Sequence, residues 1–241
     1  SIGFAVQAAV LKGLIEATSF AMAQQDVRYY LNGMLWEIST NKLRAVATDG
    51  HRMALCDAEC EVEVDGTTKA ILPRKGVMEL SRLLGEEEVQ VSMGSNHIRI
   101  TGSDYCFTSK LVDGAYPDYD RVLPKGGDKL VTGERAELKQ AFGRTAILSN
   151  EKYRGVRILL SNGAIKMVAN NPEQEEAEEE VSVNYQGEDL EIGFNVGYLL
   201  DVLNVLKGDN IKFTLADSNS SALVEDAANG SAVYVVMPMR L

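Results

Sequence analysis

The chain has 241 residues, of which 45% are hydrophobic, and 24 Lys+Arg stand against 35 Asp+Glu for a formal charge of −11. That balance belongs to packed soluble domains, excludes a disordered chain or a coiled coil, and at this length accommodates two domains of about 120 residues each. No apolar run approaches the ~20 residues that cross a bilayer, and the opening SIGFAVQAAVLKGLIEA lacks a basic region followed by a clean apolar core, so a cytoplasmic protein without a membrane partner is expected.

In chain order, FAVQ reads as a strand and residues 8–23 as a helix, with Val10, Leu11, Leu14, Ile15 and Ala17 on one side. YLNGMLWEIS and KLRAVATD follow as strands joined at Thr40-Asn41, then RMALCDAE. After Asp65-Gly66 come the strand KAILP and a second helix over 74–84, with Val77, Leu80, Leu83 and Leu84 at helical spacing and Gly85 ending it. EVQVSM, HIRIT and YCFTSKLV close the first half as alternating strands.

The second half repeats this order. KLVTG leads into a helix over 134–148, and RGVRILL and AIKMVAN pair across Ser161-Asn162-Gly163, where Asn-Gly is a strong hairpin signal. A Glu-rich strand precedes LEIGF and a helix over 195–206. There Leu199, Leu200, Val202, Val205 and Leu206 mirror the second helix of the first half at a displacement of about 122 residues, a period that marks an internal repeat. IKFTL, SALVED and AVYVVMP follow.

The predicted class is therefore α+β: two repeated domains, 1–123 and 124–241, each with two helices and about eight strands, joined near Leu123-Pro124-Lys125-Gly126-Gly127. The halves balance at −5 and −6 in charge. Helices are expected on one face and sheets on the other. Lys12, Arg74, Lys75, Arg82, Arg135, Lys139, Arg144 and Lys207 lie on or beside the helices, and the acidic residues fall largely on strands and loops. A locally basic face on an acidic protein suits sequence-independent contact with phosphates, and ordinary solvated helix charge is the plainer account of the same pattern. Cys56, Cys60 and Cys106 are too few and odd in number for a disulfide framework, and with only His51 and His97 they match no zinc spacing, so no metal or cofactor is expected.

The strings QQDVRYYLNGMLWE, TDGHRMA, PRKGVMEL, FTSKLVDGAYPDYDRVLP, ILSNEKYRGVR, ANNPEQEEAEE, GFNVGYLLDVLN and YVVMPMRL resemble the bacterial sliding-clamp family, the beta subunit of DNA polymerase III, over essentially the whole chain. The resemblance implies the DNA-clamp fold with helices inside and sheets outside. It implies a replication processivity factor that tethers polymerase subunits, clamp loader and repair proteins to duplex DNA, without sequence specificity and without catalysis. The family has three such domains per subunit and closes a ring as a homodimer. The residues here resemble the second and third domains, and by themselves they are expected to be monomeric.

Three surfaces carry over by resemblance. The partner-peptide pocket matches Leu31, Thr48, Gly50, His51, Arg52, Met53, Pro117, Arg121, Val122, Asn195, Tyr198, Ser221, Val235, Val236, Met237, Pro238, Met239, Arg240 and Leu241. Methionines adapt to varied apolar side chains, and Arg240, Asn195, Ser221 and His51 can pair with a peptide's polar groups. Pro238 is expected to stop the last strand and leave the tail free, and Met53 stands where the family pattern has leucine. The DNA-facing surface matches Gln24, Gln25, Arg28, Tyr29, Tyr30, Arg74 and Lys75, an arginine beside two tyrosines being suited to phosphates and exposed bases. The ring-closing edge matches Ile147 and Leu148 with Glu173, Glu175, Glu176, Glu178 and Glu179, where six glutamates within 173–180 also guard an edge strand against wrong pairing.

Two rival readings differ in class. One is a peptide-binding adaptor with no DNA role. The other is an enzyme using Asp49 and His51 as an acid/base pair, for which no nucleophile elbow and no phosphate-cradling glycine loop is present.

Overall fold

The computed structural model describes residues 1–241 and divides by internal contacts into two units, Ser1–Asp118 and Tyr119–Leu241. The expected linker at 123–127 belongs with the second unit, because Val122, Leu123, Pro124 and Gly127 lie against Thr214, Leu215 and Ser221.

The first unit runs β1 (Ile2–Gln7), α1 (Ala8–Thr18), β2 (Gly33–Ser39), β3 (Lys42–Thr48), β4 (Arg52–Glu59), β5 (Thr68–Pro73), α2 (Arg74–Leu83), β6 (Glu88–Met93), β7 (His97–Thr101) and β8 (Cys106–Lys110). The second runs β9 (Lys129–Glu134), α3 (Arg135–Ala146), β10 (Gly155–Ser161), β11 (Ala164–Asn170), β12 (Glu176–Ser182), β13 (Leu190–Asn195), α4 (Val196–Val205), β14 (Asn210–Leu215), β15 (Ala222–Asp226) and β16 (Ala232–Val236). The order of elements is identical, and so is the pairing. All ladders are antiparallel, in the orders β1-β6-β7-β8 and β5-β2-β3-β4 in the first unit. In the second they run β9-β14-β15-β16 and β13-β10-β11-β12. Two helices and eight strands per unit agree with the repeat read from the sequence.

Each helix buries one stripe. In α1, Ala8, Leu11, Leu14, Ile15 and Thr18 are buried, against β3 and β4. In α3, Leu138, Ala141, Phe142, Thr145 and Ala146 face α4, β11 and β12. In α4, Val196, Leu199, Val202 and Leu203 are inside. Strands alternate: Val89, Val91 and Met93 of β6 and Ile98 and Ile100 of β7 are buried between exposed neighbours. Each fully buried aliphatic side chain contributes about 1.5–3 kcal/mol relative to exposure, so these stripes outweigh the weak intrinsic propensity of such short helices.

Several boundaries differ from the sequence reading. The first helix stops at Thr18 and not at residue 23. Thr18 Oγ1 donates back to the Leu14 carbonyl at 2.8 Å, and its backbone leaves the helix at φ −127°, so Ser19–Ala21 forms a short 3-10 turn. The next strand begins at Gly33 because Tyr29–Asn32 is also a 3-10 turn, tied by the Asn32 side chain to Asp26. The last strand of the first unit ends at Lys110, after which Leu111 and Val112 donate to the carbonyls of Asn96 and Ile71. The helix over 74–84 ends at Leu83 with Leu84 extended as its cap, so Gly85 is not what stops it. In the second unit α3 ends at Ala146, and residues 147–149 continue as short-range turns. The hairpin at Asn162-Gly163 pairs Ser161 with Ala164, with Gly163 at φ 77°, a backbone state that glycine reaches without steric cost.

Candidate functional site

The loop over 24–32 is closed by its own polar groups. The Asn32 amide accepts from the Asp26 N–H and donates to the Asp26 carbonyl, both at 2.9 Å. Arg28 donates to the Asp26 carboxylate from Nε at 3.0 Å and Nη2 at 2.9 Å, and its backbone N–H donates to the same group. The Arg28 side chain, then its backbone N–H, hold the Asp26 carboxyl at about 2, well below the usual carboxylate range. Gln24, Gln25, Arg28 and Tyr29 are exposed at this apex, where Val27 is 95% exposed, and Tyr29 and Tyr30 meet edge to face at 5.8 Å. The pairing of Gly33 with Pro73 sets the end of this loop beside the start of α2. That helix opens with Arg74, half-buried, and exposed Lys75. All seven residues expected at the nucleic-acid surface are thus on one loop and one adjoining helix N-terminus, which adds the positive end of a helix dipole. The bidentate pair with Asp26 makes Arg28 an internal tie of the loop.

On the same unit, the turn over 48–52 is built around Asp49. Its Oδ1 accepts from the N–H groups of His51 at 2.8 Å and Arg52 at 3.1 Å, and its Oδ2 from Arg52 Nε at 3.2 Å. Thr48 Oγ1 donates to the Arg52 carbonyl and accepts from Gly50 N–H, and Gly50 takes φ 90°. Arg52 reaches on to the Phe20 carbonyl at 3.1 Å and stacks over the Phe20 ring at 5.4 Å. Tyr116 accepts from Thr48 N–H at 3.1 Å, and burial pushes its hydroxyl's pKa upward. Asp49 therefore organises the turn and the Arg52 head. Of the pocket residues expected here, His51 and Pro117 are exposed, Thr48 is 8% exposed, and Gly50 and Arg52 are half-buried. Leu31 and Met53 are buried, each 1% exposed.

On the second unit, Asn195 caps α4, its Oδ1 accepting from Gly197 N–H at 2.8 Å and Tyr198 N–H at 3.3 Å. Arg121 is exposed, Val122, Tyr198 and Ser221 are half-buried, and Val235 and Val236 are fully buried in β16. Met237, Pro238 and Met239 are half-buried, and Arg240 and Leu241 exposed. The strand stops before Met237 as Pro238 requires, but the tail does not stay free. Met239 N–H donates to the Gly193 carbonyl at 2.9 Å, an antiparallel bridge on the outer edge of β13. Beside this tail lies a cleft of about 630 Å³ that sequence reading missed, lined by Asn150, Tyr153, Arg157, Val168, Asn170 and Glu176 with Met239, Arg240 and Leu241. Its one legible signal was SNEKYRG, where Asn150 accepts from the N–H groups of Lys152 and Tyr153 and turns Tyr153 outward, 57% exposed.

The third expected surface is also on the second unit. β12 pairs only with β11 and is an edge. Arg144 of α3 pairs with Glu179 and Lys166 with Glu178 at 2.8 Å, and the Glu178 hydrogen bond raises the lysine's pKa. Glu173, Glu175, Glu176 and Glu178 are exposed, Glu175 being tied to the Asn171 side chain. The Arg144–Glu179 pair brings this acidic edge to the end of α3, where Ile147 is 79% exposed and Leu148 half-buried.

Two tandem copies of one β-α-β-β-β-β-α-β-β-β unit define a protein of the DNA-clamp fold. The profile of the DNA polymerase III beta subunit, central domain, matches residues 5–118, and that of its C-terminal domain matches 120–240. The chain belongs to the DNA polymerase III beta subunit family. It is 60% identical to the beta sliding clamp of Pseudomonas aeruginosa over 243 residues, covering all of this chain and 66% of that protein. It is 57% identical to that of Escherichia coli over 242 residues, with the same coverage. A crystal structure of the Pseudomonas aeruginosa DNA polymerase III subunit beta superposes with a TM-score of 0.99 at 60% identity, covering all of this chain and 66% of that one. The Thermotoga maritima beta subunit superposes at 0.94 with 29% identity and the same coverage. The chain thus spans just under two-thirds of the length of these relatives.

Proposed function

We propose that this chain serves as part of a DNA sliding clamp, a non-catalytic processivity factor that tethers polymerase subunits, clamp loader and repair proteins to duplex DNA. The observation that carries the DNA side is the Gly33–Pro73 pairing, which gathers Gln24, Gln25, Arg28, Tyr29 and Tyr30 with Arg74 and Lys75. Backbone attraction from a small basic patch on a protein of charge −11 gives weak, sequence-independent, mobile contact. In the assembled ring the helices would line the hole and the sheets the rim. Two subunits would close through Ile147, Leu148 and the glutamates of 173–179.

Partner proteins would dock through short peptides on the residues named for the pocket. On the first unit these include His51, Pro117 and Arg52; on the second, Arg121, Val122, Tyr198, Ser221 and the tail residues Met237, Pro238, Met239, Arg240 and Leu241. Buried Leu31, Met53, Val235 and Val236 would set the shape beneath them. Affinity in the micromolar range, about −8 kcal/mol, suits exchange among many partners.

Anisotropy with primed duplex DNA at about 50 and 200 mM salt, alongside calorimetry with a Gln-Leu-Phe-type peptide, tests both halves. A steep loss of DNA binding with salt is expected. Peptide binding without any DNA binding at low salt would favour the adaptor reading instead.

A further inference from the structure

The tail seat on the second unit is built from absences. Gly155 and Gly193 lie on the outward face of neighbouring strands, with Arg157 directly opposite Gly193 and Asn195 opposite Gly155. Neither glycine has positive φ, so their backbones do not require the residue type. Space does. A Cβ on Gly155 would sit 2.6 Å from Leu241 Cδ2, and one on Gly193 would sit 2.6 Å from the Met239 carbonyl oxygen and 2.7 Å from Leu241 Cδ1. Both are closer than carbon atoms tolerate, so the two missing side chains form a notch that Leu241 fills.

The same residues also offer a backbone. β13 pairs with β10 on one side, and on the other it carries the single bridge from Met239. An aliphatic side chain in a notch and one strand-like hydrogen bond at an edge are the two elements by which extended peptides add to sheets. The tail makes both, yet Leu241 stays 55% exposed and faces the open cleft toward Tyr153 and Arg157. Holding a chain by one hydrogen bond, one partly covered leucine and the half-buried Met239 side chain is weak enough to be reversed by competition.

We propose that the tail is an internal ligand of this seat. Leu241 acts as a latch, and an extended peptide bearing an aliphatic side chain competes with it for the notch, the Gly193 edge and the adjoining cleft. The partner side rests on the reading that short peptides visit this tail; the latch itself does not.

Backbone amide exchange at Met239 reads the latch in the full chain, with the core amide of Ile158 as the folding control. In the unaltered protein the Met239 amide should be protected, and Gly155→Ala should speed its exchange by about tenfold while Leu241 is present. Leu241→Ala, which alters one exposed side chain and leaves the core untouched, should speed it similarly, and adding Gly155→Ala to Leu241→Ala should do nothing more. The hexapeptide Val-Met-Pro-Met-Arg-Leu should accelerate Met239 exchange in the unaltered chain, and its analogue ending in Ala should not.

A Met239 amide that exchanges as fast as in a free peptide would overturn the proposal. So would an undiminished Gly155→Ala effect in the Leu241→Ala background, or two hexapeptides that act alike. Failure of a polymerase-type peptide to bind would count against the pocket reading and leave the Met239 result standing.

Discussion

The Arg28 guanidinium and the Asp26 carboxylate form a two-point pair, Nε to Oδ1 at 3.0 Å and Nη2 to Oδ2 at 2.9 Å, across a loop whose apex is otherwise solvent. Two-point geometry gives this pair a defined shape that exposed ion pairs usually lack, although its energy is screened. It closes the turn at Asp26–Arg28, directly before Tyr29 and Tyr30.

The carboxyl of Asp26 should therefore titrate near 2 in the folded protein, against an ordinary 3.8. A lowered folded-state value means that the charged pair is complete above the ordinary value and is lost as pH falls through the folded one. Carbon-detected titration of Asp26 should show this. In Arg28→Ala the value should return toward 3.8, and no change on that substitution would mean the pair does not form in solution.

Arg74 and Lys75 should act on DNA as phosphate contacts. Changing either to alanine should weaken binding on all sequences alike and reduce the slope of log affinity against log salt by about one. Arg28→Ala should weaken binding as well, with a further loss of order in the loop seen as faster amide exchange at Asn32. A salt slope unchanged in Arg74→Ala, Lys75→Ala and their double variant would place the DNA contact elsewhere.

Asn195 should matter for stability before it matters for partners. Its Oδ1 satisfies two N–H groups at the start of α4, so Asn195→Ala should cost about 0.5–2 kcal/mol in denaturant unfolding, and Asn195→Asp, which keeps the oxygen, much less. Equal loss in both would assign the residue's contribution to its amide nitrogen.

Removing residues 237–241 should abolish binding of a Gln-Leu-Phe-type peptide, since it takes away the Met237 and Met239 walls and the Arg240 donor. The core strand β16 ends at Val236, so the melting temperature should change little. The loss is one backbone hydrogen bond with half-buried Met237, Pro238 and Met239 and a partly exposed leucine, on the order of 1–3 kcal/mol, all outside the core strands. Retained peptide affinity in calorimetry would move the binding surface off the tail.

The repeat, the helix count and the strand order were written in the sequence because apolar spacing is local: Val77, Leu80 and Leu84 declare a helix stripe whatever surrounds them, and Asn162-Gly163 declares a turn. Family strings likewise singled out Thr48, Gly50, His51, Arg52 and Met53 and the glutamate edge. What the sequence could not settle were choices that spacing leaves open, some local and some between residues distant along the chain. Thr18 leaves the helix as its hydroxyl turns back on Leu14 beside Met34, and the side chain of Arg28 folds onto Asp26 in a loop that Asn32 also ties. Leu31 and Met53 become core by burial that no spacing announces. Gly155 and Gly193 read as ordinary strand glycines until the tail is folded over them. A side chain's identity fixes what it can donate, accept or fill, and only the tertiary structure decides which partner reaches it and how much water is left between them.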